Sequence, residues 1–420
     1  MRLEKLQIKP FKRNRQIMIE QQNWWKLSSI QIGGVVCLPM IMIGQTLNQQ
    51  YGFASAICGI LLGNAILLLM ALVITHMACE NRKTTMENAI EYFGKKGVSF
   101  FALTMSLSTL VWFSVQLKVM SLSLLDILHI HSEGPFIECI ANTLLGLLIT
   151  FVVFYGIRAM EIISNISMPL LLLTLGYAWY TADSDTTQTN HLPLTFAAIS
   201  AIMGMAIVYV IDLPTFMRHA RSSKDGMTSI FIMFILAMPI LESIGVYLAA
   251  GKTGNIIEVL KRYNGPLWNL WVSLFLILAG WTTNNMNLYS GATSARSIFP
   301  NLNHSFNITI LIFGVLGTLL ANFDLLQHLS LILEGMGIVV TSMGTVIITR
   351  YLMMRISGQP ITSRDYPWHF AAWFLGTVAG ILSMNGIAIT AVSTIDSAIA
   401  AHLGTFLILL SGKQHEKAYA

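Results

Sequence analysis

The chain has 420 residues, 55% of them hydrophobic and 11% charged, with a mean hydropathy of +0.65, against roughly 25% charge in soluble domains. That balance excludes a water-solvated globule and requires lipid as solvent, where each span takes about 20 apolar residues. The net charge of +5 does not indicate nucleic acid as a partner, because the basic residues are dispersed through short loops instead of gathered on one face.

The apolar runs predict an all-α integral membrane protein of about twelve transmembrane helices, at 27–47, 53–78, 99–128, 136–155, 160–180, 195–217, 228–249, 268–294, 306–321, 326–349, 367–385 and 388–411. The division that follows is an N-terminal tail over 1–26, a transporter core of ten helices over 27–349, helices eleven and twelve over 350–411, and a C-terminal tail over 412–420. Met1 to Glu20 is basic and lacks a following short apolar region with a small-residue cleavage site, so no cleaved signal peptide is expected. With these spans, 21 of the 25 Lys and Arg residues fall on one side of the membrane. By the positive-inside rule that side is cytoplasmic, and both termini lie there. Lys252, Lys261 and Arg262 share one loop on the opposite side, and Lys118 lies inside a span. Cys37, Cys58, Cys79 and Cys139 have no metal-ligand or redox spacing and read as small hydrophobes.

Taken in chain order, the first span carries Gly33-Gly34-Val35-Val36-Cys37-Leu38-Pro39, a run that breaks helices. In the third, Trp112 and Gln116 are four residues apart and share a face. An indole stacks on a flat ring while an amide offers its edge both a donor and an acceptor, which suits a planar solute with polar edges. Two residues on, Lys118 is turned about 200° away; an ion pair with Glu242 or Asp212 is the leading expectation for it. The sixth span contains Met203-Gly204-Met205, with Pro214 further on. Breaks in the first and sixth helices, five apart, fit a five-plus-five inverted-repeat transporter, in which unwound backbone binds ions and solute near the midplane. Gly and Pro also serve merely as packing surfaces in membrane helices.

The eighth span holds the most polar intramembrane stretch, Trp281-Thr282-Thr283-Asn284-Asn285-Met286-Asn287-Leu288-Tyr289-Ser290, which is expected to line a wet cavity. Adjacent Thr282 and Thr283 hydroxyls suit a hard monovalent cation. Glu334-Gly335-Met336-Gly337 marks a flexible point in the tenth span. Lys118 and Glu334 are the candidate proton carriers, because an unpaired charge at membrane depth costs at least about 2.5 kcal/mol. Asp212 and Asp396, near helix ends, are expected to be solvated.

These motifs resemble the nucleobase:cation symporter family of cytosine, purine and allantoin permeases and their hydantoin-transporting relatives, from about Trp25 to Leu410. Trp281-Thr282-Thr283-Asn284-Asn285 with Leu288-Tyr289 is similar to the family's W-T-T-N-D-x-x-L-Y stretch, and Phe216-Met217-Arg218 to its D-F-x-R. The resemblance implies alternating access and a sodium ion between the first and eighth helices. Its ligands would be the carbonyls of Gly33, Val36 and Ala279 and the hydroxyls of Thr282 and Thr283. It further implies a substrate stacked on Trp112, with Gln116, Gly204, Met205 and Asn284 reading its edges. Ala206 stands where the family has a second aromatic wall, a role Tyr209 can take one turn later; Thr215 and Asn285 replace acidic residues.

The functional expectation is therefore a secondary active importer of a nucleobase or related small heterocycle, cytosine-like, by cation symport. The expected location is a plasma or bacterial inner membrane, with sodium or protons as coupling ion. No other cofactor, nucleic acid or obligate protein partner is implied. An amino acid or amine symporter of the same fold is the alternative. A membrane-embedded enzyme would need a catalytic constellation and a channel a symmetric selectivity element, and the sequence displays neither.

Overall fold

The break in the first span follows directly from its residues. Helix α1 (Trp24–Val35) starts where the Asn23 side chain accepts a bond from the Lys26 amide at 3.0 Å. It ends after Gly33-Gly34, and Val36 and Cys37 leave helical geometry. Pro39 then sits in the first turn of α2 (Leu38–Tyr51), where its missing N–H costs nothing. The two halves bend by 59°. The computed structural model describes residues 21–130, 134–181, 196–248, 256–261, 265–298, 306–323, 325, 329–358, 360–390 and 392–418.

The remaining elements are α3 (Phe53–Asn81), α4 (Thr85–Ile127), α5 (Pro135–Val153), α6 (Ile157–Thr181) and α7 (Phe196–Met217). Next come α8 (Ser223–Phe231), a π-helical segment (Ile232–Ala237), α9 (Met238–Leu248), α10 (Ile256–Lys261) and α11 (Gly265–Ile298). The last four are α12 (Phe306–Leu320), α13 (Leu329–Ser357), α14 (Tyr366–Met384) and α15 (Ser393–Ala418). Among the described residues, eight helices are long and apolar enough to cross a membrane, or nine when the bent pair counts as one span. The expected tail over 1–26 lies outside the described residues as far as residue 20. At the other end α15 continues to Ala418, beyond the expected limit at 411.

The sixth span departs from expectation. α7 is helical throughout, with Gly204 in its middle and Pro214 in its last turn. Gly204 serves packing: a Cβ on Gly337 of α13 would lie 3.0 Å from the Gly204 Cα and 3.2 Å from its carbonyl oxygen. Small residues let membrane helices approach this closely without unwinding, and no proline adjoins Gly204 to enforce a break. A related contact locks α2 to α9, since a Cβ on Gly44 would strike the Glu242 carbonyl and one on Gly245 the Ile41 carbonyl.

One end of the bundle gathers basic residues from many elements. Gln22 bonds His219 and Arg221 through its backbone at 2.8 and 2.7 Å, Lys26 pairs with Glu161 at 2.8 Å, and Arg355 pairs with Glu80. Arg82 donates to the Arg218 and Ala220 carbonyls. Arg350, 2% exposed, pairs with Asp365 at 3.2 Å. The loop ends that the charge count places on one side therefore meet in space.

Candidate functional site

Four elements meet at the bend of the first span. α4 and α11 pack along much of their length, α1 lies against α11, and α7 runs beside α4. Between them is a cavity of about 70 Å³ lined by backbone and side chains of Gly34, Cys37, Trp112, Met205, Tyr209 and Asp212, together with Thr283, Met286, Asn287 and Ser290.

Of the residues expected to touch solute, Trp112, Met205 and Tyr209 line this cavity. The Tyr209 hydroxyl is buried and has no partner among the described residues. Gln116, 1% exposed, stands behind the lining, with its side chain at the Cys37 thiol and its Nε2 unpartnered among the described residues. Gly204 does not line the cavity; it faces α13. Asn284 is also outside the lining, because its amide donates to the Phe113 carbonyl at 3.0 Å and so ties α11 to α4. Asn287, which donates to Asn284 Oδ1 at 3.3 Å, is the amide of this stretch that reaches the cavity. Ala206 is buried and absent from the lining, whose aromatic residues are Trp112, Tyr209 and Phe216.

Of the expected ion ligands, Gly33 of α1 lies against Thr282 of α11, which shares the Ala279 carbonyl with Thr283. The hydroxyls of Thr282 and Thr283 both donate to the Ala279 carbonyl, at 3.0 and 2.9 Å. Facing them, a Cβ on Gly33 would lie 3.6 Å from the Thr282 Cβ and 2.9 Å from Ser164 Oγ of α6. The Val36 amide bonds back to Ile32. The last carbonyls of a helix have no partner within it, which leaves those of Gly33 and Val36 for other donors or a cation. Nothing in the sequence of α6 alone marks Ser164. Asn285 is 1% exposed, and neither amide atom has a partner among the described residues.

The membrane carboxylates and Lys118 are arranged differently from expectation. Asp212 is buried, not solvated: its Oδ1 accepts from Thr85 at 2.9 Å and Thr215 at 2.8 Å, and its Oδ2 accepts from Ser290. Lys118 pairs with Glu138 of α5, and not with Glu242 or Asp212. Its rotation away from Gln116 turns it from the cavity, toward the first turn of the neighbouring helix. Glu242 accepts from Asn64 Nδ2 at 2.6 Å between α9 and α3. Glu334 accepts from Ser393 at 3.0 Å, between α13 and α15, away from the cavity lining. Asp396 accepts from the Ile389 and Thr390 amides, each at 2.9 Å. Just beyond α7, burial first, then the charges of Arg218 and Arg82, push His219 down to about 4.

A family model for permeases of cytosine and purines, uracil, thiamine and allantoin matches residues 20–401. The chain belongs to this family. It is a transporter and not an enzyme. The cytosine permease of Escherichia coli K12 is 25% identical over 382 residues, covering 86% of this chain and 84% of the permease. Among solved structures, Mhp1, a nucleobase-cation-symport-1 family transporter in a closed conformation with bromovinylhydantoin bound, aligns with a TM-score of 0.75. The identity is 18%, over 92% of each chain. A Na+-coupled sialic acid symporter in an outward-open state aligns at 0.62, with 14% identity over 92% of this chain and 90% of its own. At these identities the structural likeness establishes the fold, and specificity must be argued from the site.

Proposed function

We propose that this permease imports a nucleobase or similarly small planar heterocycle, cytosine-like in its polar edges, by cation symport. The observation that carries the reading is a cavity at the bend of the first span that has Trp112 and Tyr209 among its walls. Aromatic faces bind flat rings, and the Tyr209 hydroxyl and the Asn287 amide supply edge groups. At about 70 Å³ the cavity is well below the roughly 300–1,000 Å³ common for small-molecule sites, which favours a small ring. The likeness to a hydantoin-bound transporter and the identity to cytosine permease favour the same class of solute.

Sodium is the coupling ion this reading favours. Gly33, Val36, Ala279, Thr282 and Thr283 offer only neutral oxygens, the donor set a hard monovalent cation prefers, and Ser164 adds another hydroxyl beside them. Lys118 and Glu334 are the alternative proton carriers, and each is held in a pair outside the cavity lining. The proposed topology has twelve spans, with α1 and α2 forming the first and α8, the π segment and α9 the seventh. Its first ten spans form two inverted five-helix repeats, both termini are cytoplasmic, and the membrane is the plasma or bacterial inner membrane.

The test is uptake into proteoliposomes of labelled pyrimidines, purines, hydantoins and amino acids, with sodium and pH gradients imposed separately. Accumulation of a heterocycle driven by sodium alone is the expected result. Exclusion of every heterocycle with accumulation of an amino acid would replace this reading with the amino acid symporter.

A further inference from the structure

A second, larger cavity lies well away from the substrate site, at the basic end of the bundle. It measures about 530 Å³ and is walled by α4 residues Lys95, Lys96 and Phe100 and by Ser363, Tyr366 and Phe370 at the start of α14. That is within the range of 300–1,000 Å³ common for small-molecule sites. Its shape originates at Gly94, whose φ of 68° and ψ of 177° interrupt α4. A Cβ there would lie 2.5 Å from the Tyr366 ring, so glycine is required both for the backbone angle and for the aromatic packed on it.

The cavity has a polar end and an apolar end. Lys95 and Lys96 are exposed and make no ion pair among the described residues. The nearby carboxylates are committed elsewhere, Glu91 to Lys83 and Asp365 to Arg350. Ser363 adds an exposed hydroxyl, and the amides where α4 resumes after Gly94 reinforce the positive potential. On the other side Phe100, Phe370 and Trp373 form a chain of edge-on rings with centroids 5.6 and 4.7 Å apart. Below them the same helix faces continue with Leu103, Leu107 and Phe374, which are 46%, 49% and 59% exposed. In a membrane protein such exposed apolar residues face lipid tails. Two unopposed ammonium groups therefore stand directly above an acyl-chain path.

We infer that this cavity binds the headgroup of an anionic phospholipid, with Lys95 and Lys96 on its phosphate and the acyl chains along Phe100, Leu103 and Phe374. Such a lipid bridges α4, which carries Trp112, to α14. The inference needs only the membrane location and is independent of the solute proposed above. Lysines near a membrane surface each strengthen binding of anionic lipid about fivefold, so the pair contributes roughly 25-fold.

The test uses the purified full chain in neutral detergent, with lipid retention counted by native mass spectrometry. Phosphatidylglycerol and phosphatidylcholine are offered in turn, with free glycerol phosphate as competitor. The expected result is that phosphatidylglycerol is retained over phosphatidylcholine, that K95Q/K96Q loses roughly 25-fold in retention, and that K95R/K96R preserves it. Phe370→Ser should weaken retention without any change of charge. Equal retention by K95Q/K96Q and the native chain would overturn the proposal. So would equal retention of the two lipids, or displacement of phosphatidylglycerol by free glycerol phosphate at equal concentration, which would reduce the site to a phosphate contact. Because both lysines are exposed, their replacement leaves packing intact, and unchanged apparent melting of the lipid-free variants verifies it.

Discussion

Asp212 joins three elements, and its replacement separates a structural role from that of its charge. Asp212→Ala removes the acceptor shared by the hydroxyls of Thr85, Thr215 and Ser290. Thr85 and Thr215 keep each other at 3.1 Å, so one to two buried donors are orphaned, at about 1–3 kcal/mol each. With the void left by truncation, a loss of roughly 2–5 kcal/mol is expected. Asp212→Asn keeps Oδ1 for both threonines, and the Ser290 hydroxyl can turn to accept from the new amide. Both substitutions remove the charge, so the contrast between them reports the hydrogen bonds. The asparagine variant should therefore melt within about 1 kcal/mol of the native protein. Thermal unfolding of both variants in detergent, with uptake measured in parallel, provides the comparison. Equal destabilisation by the two substitutions, or a neutral alanine variant, would refute the idea that Asp212 acts as a hydrogen-bonded junction between α4, α7 and α11.

Trp112→Leu should weaken binding of a heterocycle by about 2–10-fold, read as a smaller ligand-induced rise in apparent melting temperature, because it removes ring stacking while keeping apolar bulk. Replacing Thr282 and Thr283 together by valine should raise the sodium concentration for half-maximal uptake about tenfold or more, and unchanged sodium dependence would move the ion elsewhere. Lys118→Met leaves Glu138 without its cation; a loss of roughly 1–3 kcal/mol is expected given its partial burial. Adding Glu138→Gln should restore most of that loss, with no change in the pH profile of uptake. His219 is neutral above pH 6.5 in both folded and unfolded states; as pH falls toward 4 only the unfolded chain gains the proton. His219 should therefore contribute a decline of about 3 kcal/mol over that window, and His219→Gln should make the loss between pH 7 and pH 4 smaller by that amount in thermal melts.

The sequence made some parts of this molecule legible because the signal was local. Gly33-Gly34 followed by Pro39 can end one helix and start another without reference to neighbours, and the first span is broken there. Gly204 carries no such determinism, since a glycine in a membrane helix either unwinds it or admits a neighbour's backbone; only the presence of Gly337 across the contact decides. Lys118 needs a counter-ion wherever it lies at membrane depth, but its partner, Glu138, depends on which helix packs against α4. Asp212 was hidden for a similar reason. Five residues from the end of α7 it reads as solvated, and its burial arises from Thr85 and Ser290, more than seventy residues away in each direction. Within the polar stretch of α11, composition pointed to the cavity, but rotation about the helix determines that Asn287 enters it and Asn284 holds Phe113.

The two halves of the first span pack on different parts of the seventh. α1 packs on α8 and on the π segment, whereas α2 packs on α9, so the two halves of the first span each have a counterpart in the seventh. The α2–α9 pair is locked by backbone contacts at Gly44 and Gly245. The α1–α8 pair is tied by the Trp24 amide, which donates to Asp225 at 3.0 Å. A π turn alters helix register locally and is frequent at functional sites. Here it occupies the seventh span between the portion bound to α1 and the portion bound to α2. With these contacts kept, a rotation of α1 relative to α2 about Val36 and Cys37 would have to be taken up at Ile232–Ala237 as well. The candidate ion ligands Gly33 and Val36 lie on one side of this double joint and at its pivot, which couples the geometry of that site to the angle of the bend.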